Sequence, residues 1–512
     1  MNNIDINLNP IVPSIPKFDD KTKIDVRYMV ISPYVSIHIH WDSEISEVVY
    51  EVEEPILSNE EKEILTKIEK SLREVINYNL STKEQTPDAL INYIDKSAKD
   101  LIIELGLNVS PDSYDRIYYY LYRNFIGLNE IEPIMRDYFI EDVECNGAGE
   151  PIYLVHRVFR NIKTNVQFDT IEGLANFVEK IAQKTGRYIS YASPILDGSL
   201  PDGSRVNATY TKDITSKGPT FTIRKFTKIP WTPIQLINFN SVSPEMLAYF
   251  WIALQYNANI MIVGGTASGK TTLLNAIAFF IPPENRVVSI EDTRELNLPR
   301  ENWLPSVVRS GASTNGVGEV DMFSLLKGSF RQNPDYVIVG EVRGVEASVL
   351  FQGMASGHSS ISTLHADSIQ AIINRLSTPP ISLSPTLINS LDIVAVQTHA
   401  IVAGHETRRL REVIEVISVE PNGTFKSNTP FRWDPATDKF FQQGRSVLFA
   451  KINQRYGISI QELESEFNRR RTLLIEMFNK KIMGYEEVQK ILNEYSKNPQ
   501  SVFEKLGINI IP

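Results

Sequence analysis

The stretch Ile260-Met261-Ile262-Val263-Gly264-Gly265-Thr266-Ala267-Ser268-Gly269-Lys270-Thr271-Thr272 decides the fold. From Gly264 onward it fits G-x-x-x-x-G-K-[ST], the phosphate-binding P-loop. The four apolar residues ahead of it read as a buried strand. Leu273, Leu274, Ala276, Ile277 and Ala278 after it read as an apolar helix. Strand, glycine loop and helix N-terminus is the setting the motif requires. Gly264 and Gly269 let the backbone turn its N–H groups inward at phosphate oxygens. The first amides of the helix add positive partial charge. Lys270 would reach the β- and γ-phosphates, and the Thr271 hydroxyl would ligate Mg²⁺. The competing reading is a plain glycine turn between a core strand and a helix.

Further along, Arg286-Val287-Val288-Ser289-Ile290-Glu291-Asp292 reads as a strand ending in two carboxylates. Ligands of open α/β sheets lie at the carboxyl ends of the strands. Glu291 and Asp292 are therefore expected near the phosphates, with Glu295 in reach. Pro334-Asp335-Tyr336-Val337-Ile338-Val339-Gly340-Glu341 has the form of a second such strand, with Glu341 at its end. A carboxylate there can hold Mg²⁺ or orient the attacking water. Arg343 is a candidate for neutralising the γ-phosphate. His358 and His365 flank a strand of small residues, Ser359 to Leu364, and suit a γ-phosphate sensor or a hydrogen-bond network. Zinc is disfavoured at that pair, because no cysteine lies nearby.

Composition narrows the class. Of 512 residues, 42% are hydrophobic and 22% charged, which fits a globular protein with room for several domains. The formal net charge of −10 argues against a primary nucleic-acid binder. Cys145 is the single cysteine, which excludes an intrachain disulfide and a tetracysteine zinc site. A secretory leader is not expected, since Asp5 and prolines sit where an apolar core would be. Met246 to Leu254 is the best candidate to enter a bilayer, and Gln255 and Asn257 stop it too soon.

Before the P-loop, residues Met1 to Asp20 are expected to be extended. Val35, Ile37, Ile39 and Trp41 alternate with Ser36, His38 and His40, as in a half-buried strand. The two histidines can bind a metal or sense pH, or can simply form the strand's solvent face. Ser58 with Glu61 forms a capping box opening a helix with Ile64, Ile68, Leu72, Val75 and Ile76 on one face. Thr86-Pro87 and Ser110-Pro111 start two more helices. Mixed strands and a helix, Ile171 to Lys184, follow. Lys228-Ile229-Pro230-Trp231-Thr232-Pro233 reads as a linker, because its prolines interrupt helix and strand alike. Thr407-Arg408-Arg409-Leu410-Arg411 reads as a lipid- or acid-facing patch or as a solvated turn before the strand Val413 to Val419. Beyond Ser459 the pattern is helical, either packed on the core or free to dock.

The P-loop, Ile290-Glu291-Asp292, the Pro334-to-Arg343 segment and the Gly357-to-His365 segment resemble, in order, the Walker A, Asp box, Walker B and His box of type II/IV secretion ATPases. Glu341 departs from the usual aspartate of a Walker B strand. The bacterial type II assembly ATPases carry a tetracysteine zinc insertion that this chain lacks. The N-terminal strands, the Glu54-Pro55 step and the tail after Arg411 resemble the archaeal branch, most of all the motor ATPase of the archaellum.

The resemblance implies an α/β fold: a RecA-like P-loop ATPase C-terminal domain and a mixed α+β N-terminal domain carrying a helical lobe. The expected N-terminal domain covers 1–228, with a helical lobe at about 58–127 and an α/β lobe at about 131–228. A linker at 229–235 joins it to an ATPase domain at 236–512 with a helical appendage. The resemblance also implies a homo-hexameric ring that uses ATP and Mg²⁺. That ring would work at the inner face of the cell membrane, on a polytopic platform protein and other cytoplasmic archaellum components, without nucleic acid. By the same resemblance, Gly264, Gly265, Thr266, Ala267, Ser268, Gly269, Lys270, Thr271 and Thr272 bind nucleotide, and Thr271 and Glu341 hold the metal. Glu291, Glu341, Arg343, His358 and His365 form the catalytic set. Arg205 and Arg224, and more weakly Arg187, close over the nucleotide. The remaining alternatives are an ATPase of another archaeal pilus or secretion system, a nucleic-acid translocase, and a nucleotide-switched scaffold.

Overall fold

The computed structural model describes residues 15–16, 18, 20–79, 87–226, 228–309, 318–420 and 424–508. The expectations for most of Met1 to Asp20 and for Thr86 lie outside them. The chain divides into two compact units, Met1–Phe226 and Thr227–Pro512.

The first unit is built on one nine-stranded sheet. Its strands are β1 (Asp25–Ile31), β2 (Val35–Asp42), β3 (Glu47–Glu53), β4 (Ile140–Cys145), β5 (Pro151–His156), β6 (Arg160–Gln167), β7 (Ile195–Ser199), β8 (Arg205–Thr209) and β9 (Thr220–Arg224). The spatial order is β1-β2-β3-β6-β5-β4-β9-β8-β7. The early strands and the later α/β segment, read from sequence as separate pieces, are thus one sheet. They join where β3 runs parallel to β6. Asn165 extends that seam: its amide accepts from Val52 N at 2.9 Å and donates to Val52 O at 3.1 Å.

Helices Asn59–Asn79, Pro87–Glu104 and Pro111–Leu121 occupy the connection between β3 and β4. Ser58 and Glu61 close the expected capping box, with Ser58 N to Glu61 Oε2 at 2.8 Å and Glu61 N to Ser58 Oγ at 3.2 Å. Ile64, Ile68 and Leu72 are buried, as the amphipathic spacing requires. The tyrosines of the third helix are core: Tyr114, Tyr118 and Tyr119 are buried, with Tyr114 stacked on Tyr118 at 6.0 Å.

The second unit also has nine strands in one sheet. They are β10 (Ile260–Val263), β11 (Val287–Glu291), β12 (Trp303–Val307), β13 (Tyr336–Val342), β14 (Ser359–Leu364), β15 (Ile393–Val402), β16 (His405–Val419), β17 (Phe425–Asp434) and β18 (Lys439–Gln442). Their order is β12-β11-β13-β14-β10-β15-β16-β17-β18. The first six are parallel and the last three are added antiparallel. One strand, β14, separates the P-loop strand β10 from β13, an α/β arrangement of the RecA type. Both faces are covered. Ile260 and Ile262 pack toward the helices Pro244–Gln255 and Lys270–Ala278, whereas Met261 and Val263 pack toward Glu346–Ala355 and Ile369–Ser377. Double burial is why these strands read as unbroken apolar runs.

Two expectations are corrected here. The last residues of the expected linker are helical, whereas Lys228 to Thr232 form neither helix nor strand. Thr232 caps helix Pro233–Asn238 in a capping box with Gln235, and Pro233 is at the first turn. Thr232 is 1% exposed, and its Oγ1 reaches Met483 O at 3.3 Å. A proline at the first turn starts a helix because its missing N–H would have no partner there. The basic run Thr407 to Arg411 lies inside β16, in neither a turn nor a loop. Arg409 is buried because Asp438 meets its Nε at 2.8 Å. Asn498-Pro499 ends one helix and also starts another, Pro499–Lys505.

The apolar run Met246 to Leu254 is a fully buried helix segment at the base of the P-loop strand. No helix among the described residues is long and apolar enough to cross a membrane. The C-terminal helices pack on that run. Leu463, Phe467, Leu474 and Met477 are buried, and Arg470, also buried, lies over Trp251 at 4.8 Å.

A candidate nucleotide site at the carboxyl edge of the parallel sheet

Strand register lines up the sequence motifs. Val263 pairs with Leu364 and with Val396, so Gly264 is flanked by His365 on one side and Gln397 on the other. Ser362 pairs with Val339, and Val339 with Ile290. Glu341 and Glu291 therefore stand at the same edge. The pairing slips between Val339 and Val342. Such an irregularity re-aims side chains, and here it falls on Gly340 and Glu341.

The loop itself demands glycine. A Cβ on Gly264 would collide with Ser268 Oγ and lie 2.5 Å from Gln397 O. Gly269 sits at φ 93°, a left-handed conformation, and caps helix Lys270–Ala278. Ser268 Oγ donates to Gly265 O at 2.9 Å. Lys270 folds back, its Nζ donating to Gly264 O at 3.1 Å and Gly265 O at 2.9 Å. Thr271 and Thr272 occupy the first turn of the helix. Thr266 Oγ1 lies 3.1 Å from His365 Nε2.

The acids divide into two environments. Glu341 is half-buried and bonds Arg343 Nη2 at 2.7 Å, while Arg343 Nη1 reaches Asp292 at 3.3 Å. Burial works against the charge on Glu341. The Arg343 bond and the charges of Arg343, Lys270 and His365 outweigh it and hold the carboxyl below its usual range. Glu291 is 1% exposed. Its Oε1 accepts from Glu295 N and Leu296 N, both at 2.9 Å, and its Oε2 is buried without a hydrogen-bond partner. Burial pushes its pKa up to about 7, against the two backbone donors. Gly340 makes room for it, since a Cβ there would sit 3.1 Å from Glu291 Cγ. Asn275 steadies the same loop, its Oδ1 accepting from Asn297 N at 3.1 Å.

Other expected residues lie elsewhere. His358 precedes β14, whereas His365 follows it, so about six residues, roughly 20 Å of strand, separate them. The structure leaves His358 at the amino edge against Phe330, ring centroids 4.8 Å apart, with Nδ1 buried and unpartnered. Arg205 and Arg224 are direct cross-strand neighbours on the exposed face of β8 and β9 in the first unit. Arg205 also pairs with Asp197 at 3.0 Å. Arg187 lies in the loop after helix Ile171–Lys184.

The sequence reading missed Arg408. Its Nε donates to Ala267 O of the P-loop at 2.9 Å, and its stem lies 3.4 Å from where a Gly269 Cβ would be. No local signal marks it, because β15 and β16 must pair to bring it there.

The edge fits a magnesium nucleotide. It offers a glycine-walled cradle at a helix N-terminus, a lysine bonded to loop carbonyls that a phosphate would outcompete, a threonine beside that lysine, and an acid facing both. Fold and edge together define a P-loop nucleotide-binding protein. The model of the type II/IV secretion system protein family matches residues 127–484, and the chain belongs to that family.

Two uncharacterized proteins of Methanocaldococcus jannaschii are 37% identical over 75% of this chain and 70% of theirs, and 41% identical over 50% and 99%. The type IV secretion system protein PtlH of Bordetella pertussis is 33% identical over 41% of this chain and 68% of its own. Among solved structures, the VirB11 ATPase of the Brucella suis type IV secretion system is 24% identical over 56% of this chain and 95% of its own, with a TM-score of 0.29. The pilus retraction motor PilT with bound ADP is 14% identical over 70% and 90%, with a TM-score of 0.39.

Proposed function

We propose that the chain hydrolyses ATP with Mg²⁺ and couples the cycle to mechanical work as a homo-hexameric ring, assembling and rotating an archaellum filament. The observation that carries the chemistry is the single edge shared by Lys270, Thr271, Glu341, Glu291 and His365. Lys270 would leave its loop carbonyls for the β- and γ-phosphates. Thr271 and Glu341 would hold Mg²⁺, whose chemistry is to offset phosphate charge. Arg343 would release Glu341 and Asp292 to meet the γ-phosphate. Glu291 would take a proton through the oxygen that now lacks a partner, and its near-neutral pKa suits a general base. Arg205 and Arg224 are assigned to phosphate neutralisation in the assembled ring.

The partners follow from the same reading: a polytopic membrane platform protein and the cytoplasmic archaellum components, with the ring held peripherally at the inner membrane face. The relatives from Methanocaldococcus jannaschii support the archaeal branch over the bacterial one.

Steady-state ATPase of the full chain tests the enzyme reading. Turnover that needs Mg²⁺ and ignores added DNA or RNA is expected; turnover that appears only with nucleic acid replaces the motor with a translocase. Sedimentation with a non-hydrolysable analogue should give hexamers, and a monomer at saturating analogue contradicts the ring. Disrupting the gene in its native host should abolish the swimming filament. Loss of a pilus or of secretion instead, with swimming intact, would assign the motor to that system.

A further inference from the structure

The first unit holds a side-chain cluster that the nucleotide chemistry does not use. His38 and His40 project from the same face of β2, their rings stacked with centroids 4.3 Å apart. In the strand register, Glu51 of β3 stands opposite His38, and Asp25 of β1 stands opposite His40. One ligand atom from each of His38, His40 and Glu51 lies within 4.8 Å of the other two.

The hydrogen bonding leaves those atoms available. His38 Nε2 is 2.8 Å from Asp25 Oδ1, a contact that fixes the ring and turns Nδ1 toward Glu51. His38 Nδ1 and Glu51 Oε2 are 3.8 Å apart, too far for a hydrogen bond. Two donors on a tetrahedral zinc ion would sit roughly 3.4 Å apart, given metal–ligand distances near 2 Å. His40 Nδ1 is buried with no partner. A histidine held by a carboxylate behind it, with its other nitrogen turned to a shared point, is the usual geometry of a metal-binding imidazole. Against this, Arg27 Nη2 lies 3.4 Å from His38 Nδ1. That contact is long, and Arg27 is 58% exposed and already paired with Glu53 at 2.8 Å. It can withdraw without stranding a buried charge.

We propose that His38, His40 and Glu51 bind one zinc-class divalent cation per chain, with Asp25 orienting His38 from behind. Two imidazoles and a carboxylate select Zn²⁺ or Co²⁺ over Mg²⁺. Bound there, the ion ties β2 to β3.

The test uses the full chain, stripped of metal and nucleotide, in excess Mg²⁺ to saturate sites for hard cations. Titration with Co²⁺ should give one equivalent bound, with visible bands of a tetrahedral site, and Zn²⁺ should displace them. H40A and E51Q should abolish the bands, while D25N should weaken binding about 10- to 100-fold. R27A should bind at least as tightly as the native chain. Circular dichroism reports whether each variant stays folded. Failure of the native chain to bind Co²⁺ or Zn²⁺, or full binding retained in the doubly substituted H38A/H40A chain, overturns the proposal.

Discussion

The two edges of the parallel sheet in the second unit carry similar residues put to different uses. At the amino edge, Asp335 Oδ2 accepts from Arg286 N at 2.7 Å, and Asp392 Oδ2 accepts from Asn259 N at 3.0 Å. Asn259 bridges its neighbours, accepting from Ser360 N and donating to Ser390 O, both at 2.9 Å. These polar groups close off strand starts, each with at least one fixed backbone partner, and Asp392 Oδ1 also accepts from Lys451 Nζ at 3.2 Å. At the carboxyl edge, Lys270 holds its own loop, Glu341 holds Arg343, and one oxygen of Glu291 holds nothing. An acid bonded to backbone builds the fold. An acid bonded to a movable side chain, or half-bonded in a buried place, is available for a ligand. The contrast can be broken by experiment, beginning where the effect should be largest.

K270A should bring ATP turnover below detection, because it removes the point charge at the phosphates. The matching change at the amino edge, D392N, should leave kcat unchanged. E341Q keeps shape and loses charge. It should retain nucleotide binding while kcat falls about 10²- to 10³-fold, the range for removing one electrostatic stabiliser of a transferring phosphoryl group, because the charge that would hold Mg²⁺ is lost. A Glu341→Gln chain that turns over at the native rate, measured by phosphate release, removes Glu341 from the chemistry.

Glu291 separates stability from activity. Its folded pKa of about 7 is raised from the ordinary 4.5 by burial. The charged form is therefore disfavoured in the folded state. Stability from this group is full below about pH 4.5 and is lost as pH rises through 7. The loss amounts to about 3 kcal/mol, because a rise from 4.5 to about 7 changes the deprotonation equilibrium by between two and three powers of ten. E291Q should thus raise Tm above pH 8 and lose that advantage near pH 5. Its kcat should fall without the native rise of activity through pH 7. A variant no more stable than the native chain at pH 8 would mean that the buried carboxylate keeps its charge through solvation.

Much of this edge was legible in the sequence because it is local. The P-loop, the apolar strands and their terminal carboxylates each occupy a short window, and parallel strands put all their carboxyl ends on one side. Ser58, Ser110 and Ser459 caps were legible for the same reason. What escaped depends on distant partners. Arg408 reaches Ala267 only because β15 and β16 form a long hairpin. Arg409 is buried only because Asp438 lies beside it. Both sit in a charged segment whose pattern hides a strand. Of the two linker prolines, Pro230 lies in irregular chain, whereas Pro233 starts a helix. The histidine pair reads as one unit in the sequence, and the structure sets its members at opposite ends of β14. Residues at the two ends of one strand face opposite edges, and six residues of length were enough to say so.

The smallest predicted effect follows from that pair. His365 touches the P-loop through Thr266 at 3.1 Å, and Arg375 Nη1 donates to its carbonyl at 2.8 Å, which holds the residue at the edge. A single hydrogen bond of this kind contributes about 1 kcal/mol. H365A should therefore raise KM for ATP or lower kcat by roughly tenfold or less, since 1.4 kcal/mol is a factor of ten. H358A removes a ring packed at a tilt against Phe330 and a buried nitrogen with no partner, so it should change Tm rather than kcat in dilute protein. R408A should resemble H365A, because it also removes one bond to the loop. The comparison turns on His358. If H358A lowers kcat as much as H365A, with Tm and oligomeric state unchanged, the amino edge takes part in the cycle and the division between the two edges fails. If the loss of kcat appears only under conditions in which rings form, His358 acts across subunits, and the division holds within the chain but not within the ring.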